Sequence, residues 1–173
     1  NLELETSLAG RPQHTLAGVM DRTVTAMGSR LLRRWLNRPL RDHALLRERH
    51  HCVATLQDDR RYERLREMLN GIGDIERILA RVALLSARPR DLTQLRYALS
   101  ELPALQQTLR SFDTPLIRRL AADIGEHPQT HALLRAALVE TPPALIRDGG
   151  VIAEAYDAEL DELRAIQTNC DGF

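Results

Sequence analysis

Histidines, cysteines, serines and clustered acids are the residues of this chain that could do chemistry, and their spacing argues against it. His50 and His51 are adjacent, so on a helix they point about 100° apart and cannot easily share a ligand. No cysteine or carboxylate array of zinc spacing accompanies them or His43. His127 and His131 have the four-residue spacing of a metal pair, but Pro128 sets His127 ahead of any helix. A calcium loop starting at Asp157 needs Gly at its sixth position and Glu at its twelfth; Glu162 and Thr168 stand there. Ser29 follows Gly28 without a G-x-S-x-G elbow. All 24 basic side chains are arginine, so neither a P-loop lysine nor a Schiff-base lysine lies within the chain. The expectation is no catalytic residue, no metal ligand and no cofactor-binding residue.

The elements that would have to position such groups read as helices. Leu, Ala and Arg are abundant and aromatics are few, which favours helix. Thr15 caps a short turn through Met20. Thr25 caps a helix over Ala26 to Leu36, with Met27, Leu31, Leu32, Trp35 and Leu36 on one face and Arg30, Arg33 and Arg34 on the other. Gly28 leaves room for another backbone to approach, and Pro39 stops continuation. Asp42 caps the next helix, which turns Leu45, Leu46, Cys52, Val53 and Leu56 inward. Asp58 or Asp59 opens another, ended by Asn70 and Gly71. Further helices start at Gly73-Asp74, Pro89, Thr114-Pro115 and Pro128. The helix from Pro89 carries a Leu92, Leu95, Leu99, Leu102 seam and should kink or restart at Pro103. Ala144 to Arg147 and Val151-Ile152, around the Asp148-Gly149-Gly150 turn, read as a small hairpin. A last helix runs from about Ala155 to Thr168. The fold class is therefore all-α: a multi-helix array with short extended segments, namely an opening strand at Asn1–Leu4 and a hairpin near 144–152.

Charge narrows the function classes. Residues 1–66 carry a net +5, residues 67–122 a net +2 and residues 123–173 a net −7, so the chain is neutral overall. Tight stand-alone DNA binding, which phosphate neutralisation drives, fits that balance poorly. Aromatics do not interleave with arginine as in single-strand readers. The basic residues 1–66 keep open a direct nucleic-acid-binding module, with Arg30, Arg33 and Arg34 as weak phosphate contacts. No apolar run reaches the roughly 18 residues of a membrane span, and no signal peptide is visible. Cys52 and Cys170 without a motif read as free thiols of a cytoplasmic protein.

Several blocks resemble the core region of MutS-family DNA mismatch-repair proteins. They are the opening NLEL at Asn1–Leu4, the run TVTAMGSRLLRRWLNRPLRD from Thr23 to Asp42, GDIERILAR from Gly73 to Arg81 with ARPRDL from Ala87 to Leu92, and IRDGGVI from Ile146 to Ile152 followed by Tyr156-Asp157 and LDELR from Leu160 to Arg164. They stand in family order and span nearly the whole chain. The resemblance implies that residues 1–173 form the N-terminal portion of a core or lever domain. A mismatch-reading domain and a connector would precede it, a DNA clamp would be inserted after it, and a P-loop ATPase would follow. ATP, magnesium, mismatched duplex DNA and homo-oligomer contacts then belong to the parent protein. The family's Phe-x-Glu mismatch reader is missing, since Phe112 is followed by Asp113 and Thr114.

On this reading the chain couples domains mechanically. Gly28, Trp35 and Pro39 are expected to hold the opening helix in its packed geometry. Arg147, Gly149 and Gly150, within Ile146–Ile152, are expected to aim the last helix toward the clamp. Cut before its partner helices, such a piece should leave apolar surface bare and show self-association or poor order near its C-terminus.

Overall fold

The helices begin where capping chemistry directs them. A computed structural model of the chain describes residues 4–7 and 10–170. Helix α1 (Leu16–Met20) starts behind Thr15, whose Oγ1 accepts from Gly18 N at 3.0 Å. Helix α2 (Ala26–Asn37) starts behind Thr25, which accepts from Gly28 N at 3.0 Å. Helix α3 (His43–Gln57) starts behind Asp42, whose carboxylate accepts from Ala44 N and Leu45 N. Such caps satisfy amide groups that the first turn leaves unpaired. Helices α4 (Tyr62–Asn70) and α5 (Ile75–Ala83) follow. Helices α6 (Pro89–Arg110), α7 (Pro115–Asp123) and α8 (Pro128–Ala137) each open on a proline, where the missing N–H costs nothing. Helix α9 (Ala158–Cys170) closes the series. The class is all-α, and no helix among the described residues is long and apolar enough to cross a membrane.

Three local expectations are corrected. Pro103 does not restart its helix: α6 runs for 22 residues with Pro103 inside it. A proline removes one i→i−4 bond, and the buried Leu95, Ala98 and Leu99 on one side with Leu105 and Gln106 on the other offset that loss. The hairpin near 144–152 does not form. Ile146–Asp148 is a 3-10 turn, and the only β-pairing among the described residues is an antiparallel bridge of Ile152 with Leu138. Val139 N donates to Val151 O at 3.1 Å and Ala153 N to Ala137 O at 2.9 Å. The partner of the extended segment is therefore the exit of α8, further back in the chain than hairpin reasoning places it. Finally, α9 begins at Ala158 because Asp157 caps it, accepting from Leu160 N at 3.0 Å. Of the opening strand, Asn1–Glu3 lie outside the described residues and Leu4 is a bend whose carbonyl accepts from Ala17 N.

The chain divides into two compact units. The first holds the chain up to Arg77 together with Glu101–Glu126; the second holds Ile78–Ser100 and the chain from His127 on. In the first unit the buried positions include Ala17, Cys52, Leu65, Met68, Ile72, Leu105, Phe112, Ile117 and Ala121. Helix α3 packs on α7 there, and Glu48 accepts from Arg119 at 2.6 Å across that contact. Burial pushes the Cys52 thiol up from its ordinary pKa, and this thiol is free. The buried amide of Gln106 donates to Ala121 O and Ile124 O, closing the end of α7. In the second unit Ile78, Leu95, Ala98, Leu99 and Leu138 are buried.

Thr114, the N-cap residue of α7, is 1% exposed, and its Oγ1 has no hydrogen-bond partner. An unsatisfied buried hydroxyl costs about 1–3 kcal/mol. Replacing Thr114 by Val keeps the shape and removes that cost. Urea denaturation should therefore show Thr114→Val stabilised by about 1 kcal/mol. A loss of similar size would mean that the hydroxyl is paired in solution.

Candidate functional site: arginine joints

Helix α2 is positioned from its N-terminal side. Asp21 accepts from Thr23 N at 3.1 Å, from Thr23 Oγ1 at 2.6 Å and from Ser29 Oγ at 2.5 Å. These bonds, that of Ser29 first, hold the Asp21 carboxyl below its ordinary pKa. Gly28 belongs to the same knot: a Cβ there would stand 3.0 Å from Thr25 Oγ1 and 3.3 Å from Thr23 Cβ. The nearest approach at Gly28 is thus from the side chains of the helix's own lead-in.

At the middle of α2, Arg30 forms the first joint. Its guanidinium donates to both oxygens of Asp74, at 2.7 and 2.6 Å, and to Glu76 Oε2 at 3.0 and 2.5 Å. Asp74 also accepts from Arg77 N at 3.3 Å, so one carboxylate caps α5 and binds α2. The Arg30 bonds hold the Asp74 carboxyl below its usual pKa and raise that of Arg30. Arg30, expected as a weak phosphate contact, is thus paired with two acids inside the fold. Arg33 lies 3.7 Å from Glu5, and Arg34 is exposed with no ion pair among the described residues.

The second unit repeats the device in series. Arg81 of α5 donates to Asp91 of α6 at 2.8 and 2.6 Å. Asp91 also accepts from Arg88 N at 2.9 Å, and the Arg81 bonds hold its carboxyl down. Two turns along α6, Arg96 reaches the exit of α8. It donates to the carbonyls of Leu138 at 3.1 Å, Val139 at 3.3 Å and Glu140 at 3.1 Å. Its side chain is only 12% exposed, and its nearest carboxylate, Glu140, is 3.8 Å away and fully in solvent. A helix exit is a favourable place for a cation, because the last carbonyls carry partial negative charge. Leu138 then bridges Ile152, and Ile152 O accepts from Arg164 of α9 at 2.9 Å. Arg164 also pairs with Asp161 at 3.0 Å, and Asp161 accepts from Ala155 N at 2.7 Å. An unbroken run of polar joints therefore leads from α5 through α6 and the α8 exit to α9.

The residues singled out in the sequence sit beside these joints. Trp35 is 42% exposed and carries the Arg49 guanidinium 3.8 Å over its ring, a cation–π contact on the surface. Pro39 is exposed, one residue past the Arg38 cap of α2. Gly149 and Gly150 have φ of 71° and 64°, so the turn needs the conformations that glycine allows. Arg147 is exposed, 3.9 Å from Asp148. Within the segment Ile146–Ile152, the carbonyl of Ile152 accepts from Arg164 of α9. His50 and His51 are both exposed, and no group of three or more His, Cys, Asp or Glu that could hold a metal occurs among the described residues.

The sequence did carry a signal for most joints. Arg30, Asp74, Glu76, Arg81, Asp91, Ile152 and Arg164 all fall inside the blocks that resemble MutS proteins. Outside them lie the exit of α8, with Leu138, Val139 and Glu140, and its partner Arg96. Its clue is position: one residue past Leu95 and four past Leu92, it stands against the apolar seam of α6, where an arginine needs a partner.

Asp74 and Asp91 are acids with depressed folded pKa values. Such groups add stability above the ordinary carboxylate range and lose it as pH falls through their folded values. The melting temperature of the chain should drop as pH falls from about 5 toward 2. In the Asp74→Asn/Asp91→Asn variant it should start lower and fall less. An identical pH profile in the variant would show that these pairs do not stabilise the fold.

One family model, that for MutS domain III, matches residues 1–171. With its helical class and joints at the resembling blocks, the chain belongs to the MutS family of DNA mismatch-repair proteins and carries their helical core domain, domain III.

Proposed function

We propose that this chain is the mechanical coupling, or lever, part of a mismatch-repair ATPase, relaying nucleotide state to the parts that hold mismatched DNA. It would be the N-terminal portion of the core domain, with the connector before it and the clamp and ATPase after it. The observation that carries this reading is the serial run of joints from α5 to α9. Directional bonds of this kind have discrete arrangements, which a relay between two states requires. Helices supply stiff spans between the joints, the longest being α6.

ATP and magnesium are assigned to the parent protein. The residues present do not fit a P-loop, because the chain has no lysine to reach the phosphates. Direct nucleic-acid binding through residues 1–66 as a whole is less well supported, since Arg30, Arg33, Arg60 and Arg64 each have a carboxylate within ion-pair reach.

Coupling energies between sites are typically about 1–3 kcal/mol, or roughly 5- to 150-fold. In the full parent protein, Arg96→Gln should slow ATP-triggered release from mismatched DNA at least fivefold while leaving ATP affinity near wild type. Adding Arg164→Gln should slow it little further, because both residues serve one run. Release at the wild-type rate in both variants would defeat the proposal.

A further inference from the structure

The solvent face of α3 gathers cations that have no ion pair among the described residues. His43, Arg47, His50, His51, Ala54 and Gln57 are all exposed. At 100° per residue they fall on a single arc. The opposite arc holds the buried Cys52 and the half-buried Leu45 and Leu56, toward α7. Arg41 stands just before the helix and is exposed as well. The two acids of this stretch are engaged elsewhere: Asp42 caps the α3 amides and Glu48 pairs with Arg119. None of Arg41, His43, Arg47, His50 or His51 has an ion pair among the described residues. Arg47 Nε donates to the His43 carbonyl, which leaves its terminal nitrogens for a partner.

From this geometry we infer that the α3 face is an auxiliary, sequence-independent contact for the phosphate backbone of duplex DNA. The face offers cations and N–H donors over about 12 Å between His43 and His51, a length on which a duplex presents several phosphates. It has no aromatic side chain for stacking unpaired bases. At the middle of the arc the uncharged members are Ala54 and Gln57, and the exposed Ala44 and Val53 stand at its edges, so no broad apolar centre of a protein-binding patch forms there. Phosphates need neither. The contact is weak by design of its charge count, with two permanent cations, and it adds to binding made elsewhere. It does not rest on the coupling reading: the ATP-release assay tests that reading, and equilibrium DNA binding tests this one.

The test is fluorescence anisotropy of the chain with a labelled 30-base-pair homoduplex, titrated between 50 and 200 mM salt. Wild type should bind measurably at the low end. R41Q/R47Q should bind at least tenfold more weakly there, and the slope of log K against log salt should shrink by about 0.9 for each lost contact. R64Q, which removes an arginine paired with Glu67 on α4, should change binding less than twofold. Independently of any variant, adding duplex to isotope-labelled wild type should shift the α3 amide resonances before those of α4. The inference is overturned by absence of binding at 50 mM salt, by equal slopes for R41Q/R47Q and wild type, or by resonance shifts that spare α3.

Discussion

A guanidinium buried against the open end of a helix is the interaction on which the second unit depends. Arg96 gives up most of its hydration to bind three carbonyls beyond α8. Burying a charge is unfavourable unless it is fully hydrogen-bonded, and the carbonyl dipoles provide that. The same contact fixes where the chain leaves α8, so that Leu138 can bridge Ile152 and Ile152 can receive Arg164. A lysine could not replace it, because a compact ammonium lacks the planar fork that spans several acceptors.

Arginine serves as joint material throughout. Arg30 and Arg81 each make two-pronged bonds to an aspartate, Asp74 or Asp91, that also accepts from a backbone amide. One carboxylate thereby sets a helix start and ties it to another helix. Much of the positive charge is thus engaged inside the fold.

Local chemistry was legible in the sequence, and long-range pairing was not. Thr15, Thr25 and Asp42 cap the helices they were expected to cap, and Pro89, Pro115 and Pro128 open theirs, because capping depends on side chains a few residues away. The helix continues through Pro103 between buried positions on both sides, which no local rule records. The Gly149-Gly150 turn was found, but its flanks were paired with each other, whereas Ile152 pairs with Leu138 fourteen positions back. Arg30 was placed on the polar face of α2 correctly, but its two acids lie more than forty residues away. Arg96 escaped notice for the same reason.

Native-state hydrogen exchange of Arg96→Gln against wild type measures the central claim most directly. If the joints act in series, protection should fall at least tenfold at Val151–Ala153 and along α9 up to Gln167, while the α4 amides from Leu65 to Leu69 keep theirs. Unchanged protection in α9, or an equal loss in α4 and α9, would contradict the account.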